Sequence, residues 1–151
     1  KFPLTIVRPF NIYGERYNWL GEYSQAIPML VKKVMESKKS IEIWGTGKQR
    51  RNYIHAKDCA EIMYKIFQKR FTGSPINIGY ESTTSLKDLA KKICFAAKKD
   101  PKFIFNTSKP EGRFIKSSNS KLLKKVTSNY DPKVDIDSGL KLMIGWYKSN
   151  F

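Results

Sequence analysis

The sequence predicts a single-domain α/β fold. The run Leu4-Thr5-Ile6-Val7 is β-prone and largely apolar on both faces, as suits a parallel strand covered on both sides. Later segments repeat apolar residues at helical spacing, with short β-prone runs between them bounded by Gly, Pro, Asn and Ser. The 151 residues are enough for one core. No internal repeat, low-complexity tract or long linker divides residues 1–151.

The first strand is expected over Phe2 to Phe10, with Pro9 and Gly14 ending regular pairing. Gly14 to Tyr23 reads as an aromatic, polar loop. A helix is expected from Ser24 to Ser37, with Ile27, Leu30, Val31 and Val34 on one face and Pro28 tolerated near its first turn. Ile41 to Trp44 is a short apolar run. Lys57 to Lys69 reads as a helix with Cys59, Ile62, Met63, Ile66 and Phe67 inward. Asp58 in its first turn suits the helix dipole. Pro75 to Gly79 is a short strand. Ser85-Leu86-Lys87-Asp88 resembles a capping box opening a helix to about Lys99. Lys102 to Phe105 is another strand, Thr107 to Gly112 a loop, and Arg113 to Lys116 extended. Helices follow over Ser120 to Val126 and Asp135 to Ser149, separated by Asp131-Pro132.

Lys and Arg number 29 against 13 Asp and Glu, a formal charge of +16 that favours anionic partners. Much of the excess lies in pairs such as Lys32-Lys33, Lys91-Lys92, Lys98-Lys99 and Lys124-Lys125, which fit solvated helix faces. Hydrophobic content of 40% argues for a folded chain. Cys59 and Cys94 occupy apolar helical positions and read as core thiols, in keeping with a cytoplasmic location. No apolar run is long enough for a membrane span. The chain opens with Lys1, directly in an expected buried strand, so a piece of a longer protein is expected. Alone, it should self-associate through Leu4 to Val7 or leave that segment poorly ordered.

Gly45-Thr46-Gly47-Lys48-Gln49-Arg50-Arg51-Asn52-Tyr53-Ile54-His55-Ala56-Lys57-Asp58 joins a strand to a helix and is dense in hydrogen-bond donors. It reads as an anion-holding turn or, more plainly, as a tight turn with solvated basic residues. It is not a phosphate loop: Gln49 stands where Ser or Thr should follow Lys48, and the first glycine would fall on Glu42. It lacks the third glycine of a dinucleotide fingerprint. Arg50 and Arg51 favour an anion, since a guanidinium makes a bidentate fork to phosphate oxygens. His55 has no metal-ligand spacing to Cys or carboxylates, so no metal site is expected. No nucleophile–base set or carboxylate pair can be assembled. Asn11 follows a strand whose carboxyl end is where α/β folds bind ligands; a ligand donor and a turn former are equally good readings of it.

Arg8-Pro9-Phe10-Asn11-Ile12-Tyr13-Gly14 resembles the R-P-x-N-x-Y-G segment of the extended short-chain dehydrogenase/reductase family, the NAD-dependent nucleotide-sugar epimerases and dehydratases. Gly45 to Ala60 resembles that family's G-x-G-x-Q-x-R-D-[FYW]-[IV]-[HY]-V-x-D-x-A. Ile76-Asn77-Ile78-Gly79 with Ser85-Leu86-Lys87-Asp88-Leu89 resembles N-I-G…S-x-x-E/D-L. Asp131-Pro132-Lys133-Val134 with Gly139-Leu140 and Trp146-Tyr147 resembles the terminal P-x-[VT]-x-[LI]-x-x-G-L-x-x-x-[IV]-x-W-[YF]. The motifs occur in family order and cover nearly the whole chain.

The resemblance implies the C-terminal part of a Rossmann-type enzyme: the last parallel strand or strands plus the small α/β substrate-binding domain. It implies a nucleotide-diphosphate sugar as substrate, NAD or NADP as cofactor, and a homodimeric full-length protein. The Gly-rich loop and the Tyr-x-x-x-Lys set would belong to an N-terminal NAD-binding domain outside this chain, which alone would be inactive and hold no catalytic residue. Tyr13, Tyr17 and Tyr80 have no Lys four residues on. By the same resemblance Asn11 contacts the sugar-nucleotide, Pro9 and Phe10 lie near the nicotinamide, and Arg51 contacts the diphosphate. Arg113 of Pro110-Glu111-Gly112-Arg113 is the second diphosphate arginine. Gln49 joins the substrate-binding set, and with His55 supports the turn. Asn52 and Ser118 replace usual aspartates, and Ser128-Asn129-Tyr130 replaces the common L-G-W. A basic nucleic-acid-binding module and a non-catalytic relative of the family are the alternatives; most aromatics fall on expected core positions, which weighs against the first.

Overall fold

The fold is seen in a computed structural model that describes residues 3–20 and 24–151. The Phe2 end of the expected first strand and the Tyr23 end of the expected loop lie outside the described residues. Parallel pairing dominates the sheets. β1 (Val7–Pro9) pairs with β6 (Ile76–Ile78), β2 (Ile12–Tyr13) with β5 (Ile54–His55), and β3 (Ser40–Trp44) with β8 (Lys102–Asn106), all parallel. β4 (Arg50–Arg51) lies between antiparallel β7 (Thr84–Ser85) and parallel β9 (Ile115–Lys116). Among the described residues the helices are α1 (Ala26–Glu36), α2 (Ala56–Gln68), α3 (Leu86–Ala97), α4 (Lys121–Val126) and α5 (Ile136–Asn150).

Two apolar clusters hold these elements together. In the first, α1, α3 and α5 enclose Val31, Val34, Leu89, Ile93, Leu140 and Met143 against Ile41 and Ile43 of β3. In the second, Cys59, Ile62 and Ile66 of α2 pack on Ile54, Ile76, Ile78 and Leu123. Both cysteines are buried and free, as their helical positions require. The capping box is real: Ser85 Oγ accepts from Asp88 N at 3.0 Å and lies 2.6 Å from Asp88 Oδ2. Asp135 caps α5 in the same way, accepting from Ser138 N at 2.7 Å.

The structure corrects the first strand. Pairing starts at Val7, and Leu4 and Ile6 are 63% and 47% exposed. Among the described residues β1 pairs with β6 alone, which leaves its second edge unpaired; just before it, Ile6 O still accepts from Ile76 N at 2.9 Å. Pro9 does not end pairing; it stands opposite Ile78 within β1. A proline, lacking its N–H, is tolerated on such an edge strand. The break comes at Asn11, whose φ is 43°, and the chain then pairs again as β2. Phe67 is also corrected, from inward to 76% exposed. The buried stripe of α2 runs through Cys59, Ile62 and Ile66, and Phe67 falls about 100° beyond Ile66 around the helix.

Aspartate and histidine side chains fasten α2. Buried Asp58 accepts from the backbone amides of Lys133 and Val134, each at 2.9 Å, and so pins the segment before α5 to α2. His55 is the N-cap residue of α2, its Nδ1 accepting from Lys57 N at 3.3 Å. That leaves the proton on Nε2, which lies 3.2 Å from Glu15 Oε2 but off the line of a hydrogen bond. Burial pushes the imidazole below its ordinary value, with Glu15 pulling the other way. The Glu15 carboxyl is lowered: burial opposes this, and its own backbone amide, His55 and Lys57 outweigh burial.

Two outcomes are expected. A Cβ on Gly139 would sit 2.1 Å from Tyr13 Oη, so α5 reaches β2 only without a side chain there. Gly139→Ala should destabilise by about 1–3 kcal/mol through overpacking, although Ala is the better helix former; a raised midpoint in urea unfolding would contradict this. His55, with its folded-state value depressed, binds protons more readily when unfolded. Its contribution is full above the ordinary value of 6.5 and is lost as pH falls below it. Glu15 contributes above its ordinary 4.5 and is lost lower, as pH falls through its depressed value. His55→Gln should therefore flatten the fall of melting temperature in the upper window and leave the lower one; an unchanged profile would show that His55 does not set it.

Candidate functional site

Local geometry makes the Gly45–Asp58 segment a junction rather than an open cradle. Gly47 O accepts from Lys87 N at 2.9 Å and Gln49 O from Leu86 N at 3.0 Å, so the turn satisfies the first amides of α3. Thr46 N donates to the Glu111 carboxylate. At Thr46 the turn holds a carboxylate supplied by this chain. Gln49 is buried; its Nε2 donates to Trp44 O at 3.1 Å and its Oε1 is unpartnered. Its amide braces the turn from inside.

The adjacent arginines separate into different roles. Arg50 donates through Nε to Thr83 Oγ1 at 3.0 Å and through Nη2 to Thr83 O at 2.6 Å, tying β4 to the strand beside it. Among the described residues Arg51 makes a single internal bond, Nη1 to Arg50 O at 2.8 Å, and it is half-buried. Its Nη2 lies 3.5 Å from where a Gly112 Cβ would be. The parallel pairing of β4 with β9 delivers the Gly112–Arg113 segment to that place, and Arg113 is exposed. The structure thus brings Arg51 and the Arg113 segment together from 62 positions apart, as the numbering gives.

Asn11 lies on a second constellation, at the carboxyl ends of three strands. Its Nδ2 donates to Asn52 O at 2.8 Å and reaches Asn52 Oδ1 at 3.3 Å. Asn52 is 1% exposed. Its Nδ2 donates to Tyr80 O at 2.7 Å and to Ser118 Oγ at 3.0 Å. Ser120 Oγ completes the set by donating to Gly79 O at 2.6 Å. Gly79 is needed for close approach: a Cβ there would meet Asn52 Nδ2 at 2.7 Å and Ser118 Oγ at 2.8 Å. The two positions where the sequence departs from aspartate are therefore hydrogen-bonded to each other. A carboxylate at position 52 would set an oxygen against the Tyr80 carbonyl.

Pro9 is exposed and Phe10 half-buried at the carboxyl end of β1, where Phe10 N donates to Ile78 O at 2.9 Å. They present an apolar edge that could pack on a nicotinamide ring and offer no side-chain donor for a dinucleotide phosphate. Tyr53 and Lys57 have the Tyr-x-x-x-Lys spacing, which sequence reading passed over. The structure separates them across β5. Lys57 pairs with Glu15 at 3.5 Å, and burial pushes the Tyr53 phenol up to about 12, partly offset by Arg51. That is the wrong direction for a base. Among the described residues no cluster of His, Cys, Asp and Glu could hold a metal, and no helix is long and apolar enough to cross a membrane. A cavity of about 540 Å³ at the far end of β2 is lined by Gly14, Glu15, Arg16, Lys57 and Trp146, and includes neither Asn11 nor Arg51.

The Asn52 node is open to test. Asn52→Asp should destabilise by roughly 3 kcal/mol at neutral pH, since a buried carboxylate loses two donor bonds and gains no cation. Burial raises such a carboxyl, so the deficit should shrink as pH falls and the group takes a proton. Equal stability of the variant at neutral pH would show that position 52 is not under this constraint.

Comparison with known proteins agrees with the fold and the motifs. Residues 1–79 match the NAD dependent epimerase/dehydratase family. The chain is 28% identical over 153 aligned positions to a probable GDP-L-fucose synthase 1 of Oryza sativa subsp. japonica, covering 99% of this chain and 46% of that protein. The structure superposes on a GDP-L-fucose synthetase of Naegleria fowleri bound to NADP with a TM-score of 0.86 at 22% identity, covering 97% of this chain and 47% of that one. A UDP-N-acetylglucosamine 4-epimerase from Methanobrevibacter ruminantium M1, in complex with UDP-N-acetylmuramic acid, gives 0.85 at 20% identity, covering 96% and 46%. The chain spans about half the length of the curated relatives it matches. Its architecture is that of the C-terminal region of such proteins, and the chain belongs to the NAD dependent epimerase/dehydratase family.

Proposed function

We propose that this chain is the nucleotide-sugar-binding portion of an NAD(P)-dependent nucleotide-sugar epimerase, dehydratase or reductase. The observation that carries the reading is the meeting of Arg51 with the Gly112–Arg113 segment, in a chain whose family acts on such substrates. Arg51 and Arg113 form a two-armed clamp on the diphosphate, each arm a charge-assisted donor of fixed geometry. Arg50 takes no part, because Thr83 holds its guanidinium. Asn11 meets the sugar-nucleotide from the carboxyl end of β1, with its amide held by Asn52. Gln49 serves the clamp by bracing the turn that precedes β4. Pro9 and Phe10 give the nicotinamide an apolar wall.

The bound NAD or NADP supplies the hydride acceptor and donor. This chain binds and orients the substrate; the catalytic residues and most cofactor contacts lie in a domain outside it. The two free, buried thiols suit a cytoplasmic setting, and the full-length protein works as a homodimer. The excess of positive charge then serves a small polyanion and not nucleic acid.

Titration of UDP-, GDP-, CDP- and dTDP-sugars by calorimetry tests this. One or more should bind, and Arg51→Ala should weaken that binding about tenfold to a hundredfold, the loss of one charge-assisted donor pair. Binding of none, or unchanged affinity in the variant, would remove the assignment.

A further inference from the structure

The carboxylate on Thr46 N belongs to a residue that neither the clamp nor the core uses. Glu111 lies flat across Gly45: a Cβ on Gly45 would fall 2.0 Å from Glu111 Cγ and 2.6 Å from its Cδ and Oε1. Gly45 also has φ +71°, so close approach and backbone conformation both select glycine there. The Thr46 amide, then the Thr46 hydroxyl, hold the Glu111 carboxyl below its ordinary range, burial opposing them slightly.

The segment around Glu111 is fastened at its ends as well. Asn106 O accepts from Gly45 N at 2.8 Å, and the Lys109 ammonium stands 5.5 Å from the Trp44 ring centroid. Phe114 O accepts from Arg50 N at 2.7 Å and starts the pairing of β9. Between these ends Glu111 is the side chain that ties residues 107–113 to the Gly45–Gly47 turn. Gly112, with φ +70°, then turns the chain so that it passes Arg51 just before Arg113.

We propose that Glu111 is a positioning residue, a latch that seats residues 107–113 as a strap over the Gly45–Gly47 turn and so holds Arg113 beside Arg51. Its ligand role rests on the diphosphate-clamp reading; the latch itself does not. Glu111 acts through Arg113 and touches no ligand. The sign of its effect is distinctive. A carboxylate near a diphosphate repels it, so simple removal of the charge should tighten binding. Loss of the latch should weaken it, because Arg113 is then released to solvent and its ordering must come out of the binding free energy.

The test uses the full-length protein as wild type, Glu111→Ala, Glu111→Gln, Arg113→Ala and the Glu111→Ala/Arg113→Ala double variant. Backbone amide exchange of the free proteins reads the latch, and calorimetric titration with GDP and with UDP reads the clamp. Glu111→Ala should speed exchange at Thr46 and through residues 107–113 by about tenfold or more. Glu111→Gln, whose amide oxygen still accepts from Thr46 N, should keep most of the protection. Affinity for the diphosphate that binds should fall about tenfold in Glu111→Ala, and the double variant should bind no worse than Arg113→Ala. Unchanged exchange, tighter binding in Glu111→Ala, or a further loss in the double variant would each overturn the proposal. If wild type binds neither GDP nor UDP, the clamp reading fails and the ligand role of Glu111 falls with it, while exchange still decides whether the latch exists.

Discussion

A buried amide at position 52 is the constraint on which the arrangement of the site depends. Asn52 follows β4, and through it the ends of three strands are joined: β1 by Asn11, β6 by the carbonyl of Tyr80, and β9 by Ser118. Each contact has a fixed polarity. The Tyr80 carbonyl requires a donor, which the Asn52 carboxamide supplies, and the Asn11 amide requires an acceptor, which it finds in the Asn52 backbone carbonyl at 2.8 Å and in Asn52 Oδ1 at 3.3 Å. Because Asn52 is out of contact with water, an unmatched group there would cost its full desolvation. This fixes where the chain emerges from β1, hence where Asn11 stands, and it fixes β4, hence where Arg51 stands. The replacement of two expected aspartates is therefore one event in structural terms. Neutral groups at 52 and 118 satisfy each other.

The excess of basic residues resolves into different physical uses. Lys92, Lys124 and Lys133 pair with Asp137, Glu81 and Glu61 at the surface, where such pairs contribute little to stability. Arg50 is consumed by Thr83. Lys109 and Lys87 lie over the rings of Trp44 and Phe105. What distinguishes Arg51 is that β7 and β9 hold its backbone from both sides while, among the described residues, its guanidinium has one internal bond. A side chain with a fixed stem and free donors is prepared for a ligand at low entropic cost.

Much of the fold was legible in the sequence because its helices carry a period that tertiary context only confirmed. The stripe of α1 buries Ile27, Leu30, Val31 and Val34, the residues that its spacing assigns. Two of the two-residue strands, Ile12–Tyr13 and Thr84–Ser85, were not legible, since they are too short to show alternation. Phe67 failed because an apolar residue at the edge of a stripe is indistinguishable from one inside it until the partner surface is known. Within the proposed site, Asn11 and Arg51 are named by motifs. The division of labour between Arg50 and Arg51 could not, because Thr83 is distant in sequence. The anion of the Gly45–Gly47 turn was missed for the same reason. The donors are local and visible, but the acceptor, Glu111, comes from a loop after β8, and only the parallel pairing of β3 with β8 brings it near.

The tyrosines bear on what this chain can be asked to do. Burial raises the phenols of Tyr13, Tyr53, Tyr80, Tyr130 and Tyr147 above their ordinary value. A phenol that removes a proton near neutral pH must be lowered, which takes a nearby cation in a polar setting. Here the neighbours act the other way: Asp58 and Asp135 beside Tyr13 and Tyr80, Glu61 and Asp58 beside Tyr130, and Glu36 beside Tyr147 all oppose ionisation. Tyr80, Tyr130 and Tyr147 serve as protonated donors, to Val134 O, Asp58 Oδ1 and Glu36 Oε1. Arg51 lowers Tyr53, and burial prevails over it. Among these phenols Tyr53 is the one with a cation beside it: the field of Arg51 favours negative charge there, whereas the carboxylates beside Tyr13, Tyr80, Tyr130 and Tyr147 set a field that repels it.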